Sequence, residues 1–346
     1  MSVSIAFLHR EAYNTARSIL STRIKKQKGS YMKAVQFATY GEPDVLQVYD
    51  VPDPVPGPDD VLIQVKATTV NRLDLFQRNG SRPVGSLPFT PGQEAAGVVL
   101  SDSRGFRAGE RVLTTRATMA KGGGGYASKI AAPASHLARI PDSVTFEEAV
   151  AAGLAASTAW GALFDLGQLQ AGERVLIWAG ASGVGSMAIQ LAKHAGSWVV
   201  TSASNDEKAS EMRRLGADMV VNHRTEDVGQ VVKNAHGVNL VIELVSTTLQ
   251  TSIDACVSDG RVVLVGNLGG QQSTVDTQSW RLKRVTVIGG GIIHTSVANE
   301  TKILQLIAEK AVTPVIAHIL PVEQAAEAHR LVAKGDFSGK VILVHS

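Results

Sequence analysis

From Met32 to about residue 150 the apolar positions come in short runs broken by turn residues. Lys33-Ala-Val-Gln-Phe37 and Leu46-Gln-Val-Tyr49 read as short strands, and Val61-Leu-Ile-Gln-Val-Lys-Ala67 alternates as a half-buried strand does. Asp50-Val-Pro-Asp-Pro-Val-Pro-Gly-Pro-Asp-Asp60 is a proline-rich turn, and further turns fall at 80–91 and 122–125. The pattern predicts an irregular, strand-rich first domain. The rhythm then changes. Strand-like segments at 174–179, 197–203, 219–222, 238–245, 261–266 and 285–288 alternate with helical stretches. Six such strands with helices between them predict a doubly wound parallel sheet. Residues 298–311 read as a helix, and Lys340-Val-Ile-Leu-Val344 as a final strand returning to the first domain.

The first strand of the second region leads into Ala179-Gly-Ala-Ser-Gly-Val-Gly185. Gly180, Gly183 and Gly185 lie in the turn, where a missing Cβ lets backbone N–H groups close on a pyrophosphate at a helix N-terminus. Val184, Met187, Ala188, Leu191 and Ala192 then keep the spacing of a helix packed on a sheet. The dinucleotide fingerprint places glycine where Ser182 stands, so the match is to a variant. A serine between glycines also suggests a hydrolase elbow, but that motif needs glycine at Val184.

At 346 residues the chain suggests about two domains. No run approaches the ~18 uninterrupted apolar residues expected of a membrane helix. Cys256 is the only cysteine, which excludes a disulfide framework and a multi-cysteine zinc site; its surroundings suggest burial on a helix. Residues 1–31 carry Arg10, Arg17, Arg23, Lys25, Lys26 and Lys28 against Glu11 alone, so removing their net +5 from the whole-chain +3 leaves −2. No basic face for nucleic acid follows. This leader lacks the apolar core of a secretory signal. Its composition resembles an organellar transit peptide, yet an extended start before Met32 is the favoured reading, with a cytoplasmic protein as the consequence.

The chain resembles the medium-chain dehydrogenase/reductase superfamily, and within it the zinc-independent quinone oxidoreductases. The resemblance runs from Met32 to Ser346 and rests on ordered landmarks: Val70-Asn-Arg-Leu-Asp-Leu-Phe-Gln-Arg-Asn-Gly80, Pro91-Gly-Gln-Glu-Ala-Ala-Gly-Val98, Ala108-Gly-Glu-Arg-Val112, Ala156-Ser-Thr-Ala-Trp160, the glycine turn, Leu215-Gly-Ala-Asp218, Leu264-Val-Gly-Asn267 and Ser338-Gly-Lys-Val-Ile-Leu343. It implies an α/β fold: a Rossmann doubly wound parallel sheet over 153–296 plus a GroES-like β-rich domain over 32–152 with 297–346. The active cleft would lie between them.

The superfamily's zinc enzymes bind catalytic metal through cysteine, histidine and a further cysteine or acid. Asn71 and Gln93 stand in the places of the first two, and 151–156 offers no third ligand, although Glu94 remains. A short glycine-rich loop near Leu113 replaces the four-cysteine lobe. NAD enzymes place an acid after the second Rossmann strand; here Ser202, Ala203 and Ser204 follow, with Lys208 nearby. Hydroxyls and an ammonium suit a 2′-phosphate, which points to NADPH despite Asp206 and Glu207. The resemblance places Ser204, Lys208 and His223 around that phosphate, and Val245 and Asn267 along the cofactor.

It further implies hydride transfer to a quinone or activated alkene, a small-molecule acceptor. Asn71 is the first candidate for orienting the nicotinamide or acceptor oxygen. Thr158, read as opening a helix, would approach the nicotinamide. Asp74 and Arg78 are expected to form an ion pair, and Arg82 stands where many relatives have tyrosine. Arg284-Val-Thr-Val-Ile-Gly-Gly-Gly291 carries the last Rossmann strand, whose edge implies a homodimer. The competing reading is a non-catalytic NADPH-binding sensor, scaffold or structural protein of the same fold.

Overall fold

A computed structural model describes residues 30–291, residue 293 and residues 295–346. The leader readings for 1–31 therefore lie outside the described residues, apart from Ser30 and Tyr31. The first region contains β1 (Tyr31–Gln36), β2 (Gln47–Pro52), β3 (Asp60–Val70), β4 (Ala95–Val99), β5 (Arg111–Thr114), β6 (Lys129–Pro133) and β7 (Ala138–Arg139). Next come β8 (Arg174–Ile177), β9 (Trp198–Ala203), β10 (Met219–Asn222), β11 (Val238–Glu243), β12 (Cys256–Leu264) and β13 (Thr286–Gly289), followed by β14 (Ile316–Pro321) and β15 (Lys340–Val344).

The middle six form one sheet in the order β10-β9-β8-β11-β12-β13, and all its pairings are parallel. Its centre is apolar throughout, as Val175, Leu176, Ile177, Val241, Ile242, Val262 and Val263 are all buried. Continuous apolar runs are what strands covered on both faces require. The order reverses between β8 and its two neighbours, so a crevice opens at the carboxyl ends of β8 and β11.

The GroES-like region holds a seven-stranded sheet ordered β14-β15-β3-β4-β5-β7, with β6 on the other half of β3, and a separate antiparallel pair, β1 with β2. β15 pairs antiparallel with β3 from Val341 opposite Val70 to Val344 opposite Ala67. The final strand thus returns to the first domain, as its apolar run predicts. The helix Val297–Ala308 is tied there too: Thr115 Oγ1 donates to Glu300 Oε1 at 2.6 Å, and Arg116 Nη2 donates to the Thr295 carbonyl at 2.9 Å.

One long helix joins the halves. Phe146–Trp160 continues as a π-helical stretch, Gly161–Leu166, and crosses the expected domain boundary at 152/153. By length and composition Phe146–Leu166 is apolar enough to cross a membrane, but 67% of its most apolar window is buried in the protein. Its alanines pack against Ala67, Ala96 and Leu113 on one side and Met187, Ala188 and Leu191 on the other. Small side chains let both layers approach one helix, so the two domains share an apolar core.

Three expectations need correction. Thr158 does not open a helix: the helix begins at Phe146, where Thr145 Oγ1 accepts from Glu148 N–H, and Thr158 lies in its last turn. Cys256 is not helical; the helix Leu249–Ala255 ends before it and Cys256 opens β12. Burial pushes its thiol up to about 12, so it stays an unreactive thiol. Asp74 and Arg78 form no ion pair, because Asp74 turns inward to amide donors.

Candidate active site

The turn after β8 is built by its glycines. Ala179 takes φ +52° to leave the strand. A Cβ on Gly180 would lie 2.2 Å from Thr201 Oγ1, and one on Gly185 would lie 2.3 Å from the Ala179 carbonyl oxygen. These two glycines let turn and helix press onto the sheet, and neither lines the cleft. Gly183 does line it, with Ser182 and Val184. Ser182 caps the helix Gly183–His194; its Oγ accepts from Gly185 N–H at 3.0 Å and its carbonyl from Ser186 N–H at 2.9 Å. Of the opening N–H groups, Gly183 and Val184 are left for a ligand, at the positive end of the helix dipole. An anion fits there.

The cleft of about 490 Å³ runs from this turn in two directions. Toward the end of β9 it is walled by Ser202, Ser204, Lys208 and His223. Ser202 Oγ accepts from Ala179 N–H at 3.3 Å, bracing the turn. Asn205 Oδ1 accepts from Lys208 N–H at 2.9 Å and starts the helix Asp206–Arg214. Asp206 and Glu207 are exposed in its first turn, off the wall of the cleft. Lys208 Nζ reaches across to the Gly335 carbonyl at 3.1 Å. Burial, then the charges of Arg224 and Lys208, hold the His223 imidazole below its usual range, so it is neutral near pH 7. Val245 and Asn267 stand off the wall: Val245 packs beneath it with its N–H on Glu243 Oε1 at 2.8 Å, and Asn267 is exposed between the lining residues Gly266 and Leu268.

In the other direction lie Asn71, Leu73, Leu154, Thr158 and Lys340. Asn71 precedes the helix Arg72–Arg78, and its backbone N–H donates to Asp74 Oδ2 at 2.7 Å. Its amide nitrogen donates to Thr69 Oγ1 and Glu94 Oε1, both at 3.1 Å, and its amide oxygen accepts from Lys340 Nζ at 2.6 Å. Lys340 Nζ also lies 3.3 Å from Glu94 Oε1. Glu94 is fully buried and further accepts from Thr69 Oγ1 and Leu154 N–H. This Asn71–Lys340–Glu94 cluster was missed by sequence reasoning. Its one signal was a lysine opening an otherwise apolar strand.

Asp74 is also fully buried, and its Oδ1 accepts from Gly92 N–H at 3.1 Å and Gln93 Nε2 at 3.3 Å. Desolvation outweighs these donors and pushes its carboxyl up to about 6. Arg78 is buried beside it, with Nε and Nη1 lacking partners among the described residues. Arg82 is exposed and lies off the cleft wall.

This arrangement of turn, crevice and second domain agrees with comparisons to known proteins. Residues 57–142 match the alcohol dehydrogenase GroES-like domain family, and 183–309 match the zinc-binding dehydrogenase family. The quinone oxidoreductase of Homo sapiens is 30% identical over 329 residues, covering 90% of this chain and 98% of the relative. The chain belongs to the quinone oxidoreductases of the medium-chain dehydrogenase/reductase superfamily. Among solved structures, Escherichia coli quinone oxidoreductase complexed with NADPH superimposes with a TM-score of 0.82 at 27% identity, covering 90% of this chain and 99% of that one. An NAD-dependent alcohol dehydrogenase does so with 0.82 at 29%, with the same coverage. As a medium-chain reductase the protein is an oxidoreductase with a nicotinamide cofactor and a small-molecule substrate. Neighbours of one fold differ in their dinucleotide, so the choice rests on local residues.

One matched domain family is named for zinc, and Asn71, Gln93 and 151–156, the places where the resemblance puts the superfamily's catalytic zinc ligands, offer poor ones. Gln93 spends its amide nitrogen on Asp74 and on Gln77 Oε1 at 3.1 Å, and its oxygen accepts from Thr118 Oγ1 at 3.4 Å. Asn71 is occupied as described, and 151–156 is helix of alanine, glycine and leucine. Among the described residues no three His, Cys, Asp or Glu side chains converge as a metal set. A zinc site of ordinary affinity needs thiolate, imidazole or carboxylate. The donors here do not fit zinc.

Proposed function

We propose that the protein is an NADPH-dependent reductase that works without zinc on a quinone or an electron-poor alkene. The observation that carries this reading is the charge of the cleft. Beyond β9 its described wall presents the Lys208 ammonium with Ser202, Ser204 and a neutral His223, and no described Asp or Glu lines the cleft. A carboxylate gripping a ribose 2′-hydroxyl is what an NAD site wants, whereas cations and serine hydroxyls suit a 2′-phosphate. Gly183 and Val184 N–H would hold the pyrophosphate, and Ser204, Lys208 and His223 the 2′-phosphate. The NADPH complex of the Escherichia coli relative supports the same choice. When bound, the dinucleotide supplies a hydride. Leu73, Leu154, Val265 and Leu268 give that region apolar walls that suit a flat, poorly hydrated acceptor.

Fluorescence titration should give tighter binding of NADPH than NADH. Lys208→Ala should weaken NADPH alone, by ~1–3 kcal/mol, the range of a charge-assisted contact. Turnover of a quinone and enal panel should survive chelator, with well under one zinc per chain. Equal affinities, or stoichiometric zinc whose removal abolishes turnover, would overturn this assignment.

A further inference from the structure

We infer that Lys340 is the acid of the reaction, delivering the proton that accompanies the hydride, and that Asn71 and Glu94 are its positioning residues. The inference rests on the reductase reading above and deepens it. Asn71 cannot itself donate to an acceptor, because its amide is already engaged: both N–H bonds go to Thr69 and Glu94, and its oxygen to Lys340. The donors left at this end of the cleft are the Thr158 hydroxyl and the ammonium, and an ammonium gives up a proton far more readily than an aliphatic hydroxyl. Lys has three N–H bonds. Two are directed to Asn71 Oδ1 at 2.6 Å and Glu94 Oε1 at 3.3 Å, and the third has no partner among the described residues. Lys340 is 7% exposed and lies on the cleft wall.

The fold aims this side chain. Lys340 opens β15, which is locked to β3 beside Asn71 by the pairing of Val341 with Val70. Its stem crosses Gly183, where a Cβ would lie 2.6 Å from Lys340 Cδ. The ammonium is thereby brought between the phosphate-binding turn and the apolar end. Glu94, fully buried, keeps the charge in place without facing the cleft. Buried charge pairs are costly to assemble, so one at a reaction site fits a functional role.

Reduction of an enone or quinone needs one hydride and one proton. The electron pair arrives with the dinucleotide's hydride, which leaves it oxidised. The Lys340 Nζ–H bond breaks as a C–H bond forms at the enolate carbon, or an O–H bond at the quinone oxygen. The neutral amine then regains a proton from water through the open cleft.

Lys340→Arg keeps the cation but not the transferable proton, since a guanidinium stays protonated. In protein shown folded by thermal melting, NADPH affinity should stay within about threefold while kcat falls about 100-fold, the usual scale of general acid catalysis. The isotope effect from deuterated NADPH should shrink as that from deuterated water grows. Arginine crowds Gly183, so a second variant is needed. Lys340→Ala keeps Asn71 Oδ1 and Glu94 Oε1, which can seat a small cation in place of the lost ammonium. Methylammonium should restore turnover in it, and guanidinium should not. Rescue by both cations, rescue by neither, or a loss seen only in NADPH affinity would overturn the inference. If the unaltered protein reduces no quinone or enone, the reductase reading falls and takes this one with it; wild-type turnover in Lys340→Arg would remove only the acid.

Discussion

Asp74 shows at the scale of one residue how burial competes with hydrogen bonding. Three donors point at its carboxylate, yet desolvation is the largest influence and raises it to about 6 from an ordinary 3.8. The protonated form is therefore favoured by folding. A carboxyl raised in the folded state contributes stability below its unfolded pKa and loses it as pH climbs through the folded one. The window is about pH 4 to 6, and the full swing is about 3 kcal/mol. Asp74→Asn does not titrate. Its stability relative to the unaltered protein should therefore rise between pH 4 and 7, as read by melting at each pH. A difference flat across that range would show that Asp74 does not titrate there. The sequence marked Asn71, Gln93 and Glu94 as a group but paired Asp74 with Arg78, because helix spacing alone suggested an ion pair. Its one hint of Lys340 was a charge opening an apolar strand, since the residue lies 269 positions from Asn71 and meets it only through β15.

At the scale of elements, the parallel sheet was legible because its central strands carry apolar runs that must be covered on both faces. β12 begins earlier than its apolar core suggests, since the Cys256 end pairs with Val238 before a bulge restores register at Leu240 and Arg261. No such signal marked β14 or the helix Ala325–Lys334, whose patterns mix exposed and buried positions. The helix holding Thr158 was misplaced because alanines keep no clear amphipathic period when both sides are buried. The glycine turn was read in the right place, but its glycines divide the work: Gly180 and Gly185 pack, and Gly183 opens the cleft. Ser182 belongs to this element. Its hydroxyl accepts from Gly185 N–H, so Ser182→Ala should lower stability by about 1 kcal/mol, the usual worth of an N-cap. Denaturant unfolding measures this, and an unchanged midpoint would mean the cap is idle.

At the scale of the molecule, the two larger sheets are bound into one body by the helix Phe146–Trp160 and the return of β15 to β3. The parallel sheet nevertheless ends abruptly. β13 pairs with β12 alone among the described strands, and Thr286 and Gly289 on it are exposed. An uncovered strand edge invites pairing with another chain. Leu282 is 60% exposed on the helix leading into β13. We propose that two copies meet there about a two-fold axis, so that β13 pairs with its mate and the sheets run on. Such an interface is self-complementary, and a closed dimer hides the edge that a monomer leaves open. Light scattering at micromolar concentration should give twice the 36.5 kDa chain mass. Leu282→Lys would put a charge from each copy into the joint and should shift the particle toward monomer with turnover per chain retained, because the residue lies off the cleft wall. A monomer in the unaltered protein would leave the edge guarded by its own glycines and flanking charges instead.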